Sequence, residues 1–259
     1  RGIAVCGAAS MGALRPAEVL ALGPDTVLQS LPGHPVKEPV YQSPARWISP
    51  DLQDEAATCG ATVVSPMEVL STHLMEVVKT HLSSLMNLSA MQRQLDELKS
   101  LSDPARAERN RRYFEGIIPE KLSPETLLAI LRALLDERVS VRNLPMIVDA
   151  LVEFRHVDQV ETLYELVRKR LRGQISQQYA DADGHMQALQ LHPAWEAELI
   201  RSDSETGRQG AGAMTPQLSQ KLLDQTRRAL ALSDPASRAV IVAPDHRRRM
   251  IRAVLGSNG

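Results

Sequence analysis

The sequence predicts an α+β protein of several subdomains: a small α/β unit over 17–65, an all-helical block over 87–172 and an α/β unit at the end. Three observations carry this. Aromatic residues make up 3% of the chain and apolar residues 43%, so the core is built from Leu, Val, Ile, Met and Ala, which favours helices. Ser-Pro and Thr-Pro pairs recur as helix starts at Ser49-Pro50, Ser65-Pro66, Ser123-Pro124 and Thr215-Pro216. Short apolar strand-like runs occur only outside the helical block. At 259 residues the chain holds one large domain or two to four small ones.

In chain order, Ile3–Val5 reads as a strand, followed by a Gly/Ala/Ser turn and Leu14-Arg15-Pro16. Val19–Leu22 is a second strand. The stretch from Leu31 to Ile48 holds four prolines, Tyr41 and Trp47; with φ fixed and donors removed, it is expected to be extended and neither a helix nor a central strand. A helix over roughly 49–59 starts on Ser49-Pro50, with Asp51 and Asp54 favouring its positive end, and stops at Gly60. Thr62–Val64 is a strand. Ser65-Pro66 with Glu68 three residues after the cap forms a capping box. The helix it opens places Met67, Leu70, Leu74, Val77, Val78, Leu82 and Leu85 at helical spacing, which predicts one buried stripe.

Helices fit 88–101, 104–115, 124–137, 142–154 and 158–172, and Gly173 is expected to stop the last. The third has an unusually wide apolar face (Leu127, Leu128, Ile130, Leu131, Leu134, Leu135) and should be buried on more than one side. His185–Leu191 alternates in period two, as a strand does. Residues 202–213 read as a linker. Thr215-Pro216 caps a helix to about Leu232, Ala239–Ala243 is an apolar strand, and Pro244-Asp245 begins a final helix to Leu255.

Thirty basic against thirty-one acidic residues leave a net charge of -1, and mean hydropathy is -0.20, so neither nucleic acid nor an anionic membrane is implied as a partner. No apolar run approaches the ~18 residues of a membrane span. The start lacks the layout of a signal peptide and has no Met, which reads as a fragment of something larger. Cys6 and Cys59 give no disulfide framework; both are expected as small apolar filler in a reducing compartment.

Chemistry-bearing motifs are few. Seven histidines are scattered, His73 and His81 lie two turns apart, and no metal-ligand spacing occurs, so neither metal nor cofactor is expected. Gly207 to Gly212 lacks the preceding strand of a phosphate loop and reads as linker. No nucleophile–base pair or carboxylate dyad stands out, so the chain is not expected to be an enzyme. The arginines at 106–112, 227–228 and 247–252 read as solvated faces or as ion pairs with a neighbouring subunit. Trp47 reads as the anchor of an aromatic-poor subdomain. Tyr41, beside Glu38 in a proline-held loop, reads equally as packing or as a recognition residue.

Several segments, taken together, resemble one known family. These are Leu14-Arg-Pro16, Val19-Leu-Ala21, Leu31-Pro-Gly33, Glu38-Pro-Val-Tyr41, Ala45-Arg-Trp-Ile48, Ala61-Thr-Val-Val64 and Ser71-Thr-His-Leu74. Leu131–Val141, Arg142-Asn-Leu144 and Gln174-Ile-Ser176 follow in the same order. The set resembles the cytosolic domain of the type III secretion export-gate family, whose members serve flagella and virulence injectisomes. The wording Glu-Pro-Val-Tyr-x-x-Pro-Ala-Arg-Trp leans towards an injectisome member.

The resemblance implies four subdomains. The first is 1–16 plus 66–85, and a ferredoxin-like α/β subdomain over 17–65 is inserted into it. A helical subdomain covers 86–166, and an incomplete C-terminal α/β subdomain covers 167–259. It also implies a non-catalytic role at the cytoplasmic face of the bacterial inner membrane, anchored through a missing N-terminal domain. There the domain would form a nonameric homo-oligomeric ring that receives chaperone–cargo complexes and passes cargo to the channel. Gatekeeper and ATPase-stalk proteins are further implied partners. The family's docking dimple maps onto Glu38, Tyr41 and Thr72. Arg106, Arg109, Arg112, Asp136, Glu137 and Arg138 are candidates for the ring contact. Two departures stand out: Gln42-Ser43 replaces a small glycine after the aromatic, and Asn87–Gln92 replaces a Gly-Arg-Gln-Glu-like start. Two other readings stay open, a soluble α/β enzyme or regulatory protein with a small-molecule pocket and a monomeric helical adaptor.

Overall fold

The structure is a computed structural model that describes residues 15–206, 214–232 and 239–256, the side chains of 203–206 excepted. The expected strand at 3–5, Cys6 and the glycines at 207–212 lie outside these residues. Mixed helix and sheet is the observed class, in two compact units spanning Arg1–Arg142 and Asn143–Gly259. The helical subdomain expected over 86–166 runs across that division. Among the described residues no helix is long and apolar enough to cross a membrane.

In the first unit the order is β1 (Val19–Leu22), α1 (Asp25–Ser30), β2 (His34–Lys37), β3 (Pro44–Ile48), α2 (Gln53–Thr58) and β4 (Thr62–Val64), with a 3-10 turn at Pro50–Leu52 leading into α2. The four strands form an antiparallel sheet ordered β2-β3-β1-β4. This is the split β-α-β arrangement. Period-two alternation gives the sheet two apolar faces. Ala21 and Ile48 pack with Leu28, Leu31 and Ala56 of the helix-covered side. On the other side Leu20, Ala45 and Trp47 pack against Val69 of α3 (Pro66–Thr80).

Three sequence expectations change here. The proline-rich stretch does contain a central strand, β3, because its prolines fall at tolerated places: Pro35 lies in edge strand β2 and Pro44 is the first residue of β3. Helix α1 was not foreseen, since Asp25 after Pro24 is a weak start without a side-chain cap. Cys59 ends α2 exposed, as a free thiol rather than apolar filler.

Ser65 opens α3 with the expected capping box. The stripe that follows is not buried: only Val69 is, while Met67, Leu74, Leu82 and Leu85 are exposed. The helix also breaks at His81, which caps α3 and precedes the short α4 (Leu82–Leu85), so His73 and His81 do not share one continuous helix.

Helices α5 (Leu88–Lys99), α6 (Pro104–Glu115) and α7 (Pro124–Asp136) pack by their apolar faces. Leu127, Ile130, Leu131, Leu134 and Leu135 of α7 are buried, as its wide apolar face predicts. The arginine fork of Arg132 on α7 donates from Nε to the Met86 carbonyl at 2.7 Å, tying the connection between α4 and α5 to the bundle. A Schellman motif ends α7: the Val139 N–H donates to the Leu134 carbonyl and the Arg138 N–H to that of Leu135, with Arg138 at φ 56°.

The second unit holds α8 (Leu144–Glu153), α9 (Val160–Arg170), α10 (Arg172–Tyr179), β5 (Ala188–Gln190), α11 (Ala194–Thr206), α12 (Pro216–Ala231), β6 (Val240–Val242) and α13 (Asp245–Gly256). Gly173 does not stop a helix; the break comes at Leu171 and Gly173 lies inside α10. The expected linker is helical over 202–206, where α11 continues. Strands β5 and β6 pair in parallel, and Trp195, Leu222 and Ile251 form the core beside them.

The first turn of α13 is held by charge. Arg248 makes a two-pronged pair with Glu165 of α9 at 2.5 and 3.0 Å, and Asp245 meets Lys169 at 2.6 Å. Arg247, buried, and His246 both reach Glu196 of α11. Arg168 and Arg248 each lie over the Tyr164 ring. Arg247 and Arg248 of the basic run are therefore engaged within the chain, whereas Arg249 is exposed.

Candidate functional site

The hairpin loop 38–43, between β2 and β3, is wired onto a single residue. The Glu38 N–H donates to the Ser43 carbonyl at 2.9 Å, and the Gln42 N–H donates to the Glu38 carbonyl at 3.1 Å. The Glu38 carboxylate accepts the N–H groups of Val40 at 2.6 Å, Tyr41 at 2.5 Å and Ser43 at 3.2 Å. Gln42 sits at φ 60°, a left-handed conformation that glycine adopts most easily. The Gln42 side-chain amide donates to the Glu38 carbonyl at 3.3 Å.

This wiring leaves the Tyr41 side chain 69% exposed while Glu38 is 5% exposed. Beneath the loop opens a cavity of about 460 Å³, walled by Glu38, Val40, Tyr41 and Pro44. Its floor is the sheet face of Leu20, Leu22 and Val64, and its far wall is Glu68, Val69 and Thr72 of α3. The Ser65 cap fixes where α3 starts, and the helical repeat then puts Glu68 and Thr72, four residues apart, on one side of it. Hydrogen bonds from the Ser65 N–H (2.7 Å) and hydroxyl (2.8 Å) hold the Glu68 carboxyl below the usual carboxylate range.

Glu38, Tyr41 and Thr72 are thus brought to one cavity, which sequence order alone did not require. The sequence missed its floor, because Leu20, Leu22 and Val64 read simply as strand residues. It also missed the role of Glu38, which faces its own loop. Trp47, 2% exposed, is the sheet's anchor as expected.

The ring candidates lie apart from the cavity. Arg106, Arg109 and Arg112 are exposed on α6. Arg112 donates to Glu108 at 2.8 Å, the main influence keeping that carboxyl low. Asp136, Glu137 and Arg138 form the end of α7 and its Schellman turn.

Asp181, Asp183 and His185 place three metal-capable atoms within 4.8 Å of one another. All three are exposed, and Asp181 Oδ1 already accepts the N–H groups of Asp183 and His185, which is the chemistry of a turn. In the second unit a smaller cavity of about 170 Å³ borders Trp195 and His192.

The model of the FHIPEP family matches residues 4–258. The chain is 34% identical over 189 residues to the flagellar biosynthesis protein FlhA of Caulobacter vibrioides, covering 73% of this chain and 26% of that protein. It therefore spans about a quarter of the length of that curated relative. Among solved structures it superposes on the Chlamydia pneumoniae CdsV protein with a TM-score of 0.70 at 19% identity, covering 95% of this chain and 69% of that one. The cryo-EM structure of nonameric EPEC SctV-C gives a TM-score of 0.66 at 19% identity, over 95% and 72% of the two chains. At that identity the likeness shows the fold.

Proposed function

The chain belongs to the FHIPEP family, and on that premise we propose that it is the cytosolic docking and ring-forming region of a type III secretion export gate. It works at the cytoplasmic face of the bacterial inner membrane, receives chaperone–cargo complexes and passes cargo to the channel without catalytic turnover. The observation that carries this reading is the cavity over the Leu20–Leu22–Val64 face, rimmed by Tyr41, Glu68 and Thr72. A cavity of about 460 Å³ with an apolar floor, and with an exposed aromatic, a hydroxyl and a carboxylate at its edge, suits an apolar anchor on a partner helix. Tyr41 offers a large contact area with few rotors to immobilise.

The subdomain plan of 1–16 plus 66–85, 17–65, 86–166 and 167–259 belongs to the same proposal. So does a nonameric ring of this chain, with Arg106, Arg109, Arg112 and Asp136–Arg138 at the subunit contact. Gatekeeper and ATPase-stalk proteins complete the proposed partners. The Glu-Pro-Val-Tyr wording points to an injectisome member, whereas the Caulobacter relative is flagellar; the export-gate role is common to both branches.

The test is binding of purified secretion chaperones of the source bacterium, with and without cargo, to this domain and to the Tyr41→Ala/Thr72→Met variant. Binding by the unmodified domain that is lost in the folded variant supports docking at this cavity. Absence of binding at high micromolar concentration sinks it.

A further inference from the structure

We infer that Glu38 is a positioning residue: its carboxylate acts as an internal template that pre-forms loop 38–43 and presents Tyr41, rather than as a contact for the partner. The inference rests on the docking reading above and concerns how that site is made. Three backbone N–H groups converge on the two carboxylate oxygens at 2.6, 2.5 and 3.2 Å, and the residue is 5% exposed. An ionised carboxylate offers about four lone-pair sites, so three are consumed inside the loop. The main chain of Glu38 closes the same loop at both ends, through Ser43 and Gln42.

Beside the carboxylate, the Gln42 side chain adds longer hydrogen bonds to the Glu38 and Pro39 carbonyls at 3.3 and 3.5 Å. The Tyr41 ring is 69% exposed, so packing does not hold it. Gln42 next to it occupies a left-handed conformation at φ 60°, which a free chain visits rarely. The carboxylate offsets that strain by binding the N–H groups on either side of it, those of Tyr41 and Ser43. Hydrogen bonds of backbone N–H to an ionised acceptor are among the strong ones. The acid therefore moves the cost of ordering the loop from the binding step to folding, which is how preorganisation raises affinity.

Chemistry separates template from contact. In Glu38→Gln one acceptor oxygen becomes an NH₂ group facing N–H donors, so at least one backbone bond is lost. Glu38→Asp keeps a carboxylate that can accept the N–H groups two and three residues on, as aspartate does in turns. The first measurement is amide hydrogen exchange at Val40, Tyr41 and Ser43 in the unbound protein. Exchange about tenfold or more faster in Glu38→Gln, with Glu38→Asp close to the unmodified chain at Val40 and Tyr41, is expected. Unchanged exchange in Glu38→Gln overturns the inference.

The second measurement is a double-mutant cycle for binding a purified secretion chaperone–cargo complex. Glu38→Gln should weaken binding about tenfold in the unmodified background and less than about twofold in Tyr41→Ala. Equal, additive losses in both backgrounds mean that Glu38 touches the partner, and the template idea fails. If the unmodified chain binds no chaperone complex, the docking proposal falls alone, because exchange at 40–43 still decides whether Glu38 orders the loop.

Discussion

The four-stranded sheet of the first unit and the two-stranded sheet of the second are held by different forces. In the first, Leu20, Ile48 and Trp47 are buried on opposite faces of an antiparallel sheet, and each face is covered. In the second, Ile241 and Val242 of β6 remain exposed, and the helix that follows is fastened by Arg248–Glu165, Lys169–Asp245 and Arg247–Glu196 pairs. Salt screens ion pairs and acid discharges their carboxylates, whereas neither acts on apolar burial through charge. The sheet under the proposed docking cavity thus depends less on ion pairs than α13 does, while its rim keeps the Glu38 and Glu68 carboxylates.

The largest expected effect tests the packing of the first sheet. Gly33 has φ 142°, and a Cβ there would run into the Trp47 carbonyl oxygen. Gly33→Ala should cost about 3 kcal/mol or more, read as a large drop in the thermal midpoint of the first unit. A drop of only a few degrees would mean that the β2–β3 pairing is looser than described.

Next comes the charge clasp of the second unit. Arg248→Ala strands the mostly buried Glu165 carboxylate and removes a cation over Tyr164, for about 2 kcal/mol. Added salt should lower the midpoint of the unmodified second unit more than that of the first. Equal salt responses would erase the contrast.

A smaller effect follows from pH. Burial opposes ionisation of Glu196, but hydrogen bonds from His246 and Arg247 outweigh it and hold the carboxyl below its ordinary value of 4.5. A carboxyl lowered in the folded state stabilises above its unfolded pKa, and that contribution is lost as pH falls through the lower folded value. The second unit should therefore weaken below pH 4.5, and Glu196→Gln should flatten part of that fall. An unchanged acid limb in the variant would remove Glu196 from the clasp. The smallest effect is Tyr41→Ala, which should alter stability by less than about 0.5 kcal/mol while weakening chaperone binding about tenfold to a still measurable level.

Legibility in the sequence followed the range of each force. Caps are local, so Ser65, Ser123 and Thr215 marked their helices well. Wide apolar periodicity located α7. The prolines misled about β3, because whether a missing N–H matters depends on edge or centre, a property of pairing and not of sequence. The stripe on α3 misled for a related reason: spacing shows which residues share a face but not whether anything covers it. Glu38, Tyr41 and Thr72 were named through a family pattern, and only the hairpin hydrogen bonds revealed that the first of them faces inward.

The placement of the tryptophans has a practical consequence. The chain has two, Trp47 in the first sheet and Trp195 in the second unit, where its indole N–H donates to Gln225 at 3.1 Å and the Lys221 ammonium lies 5.3 Å from the ring centre. Both are buried, so unfolding moves each indole from a packed setting into water. Each unit thus carries its own fluorophore, and a Trp47→Phe chain reports optically on the second unit alone.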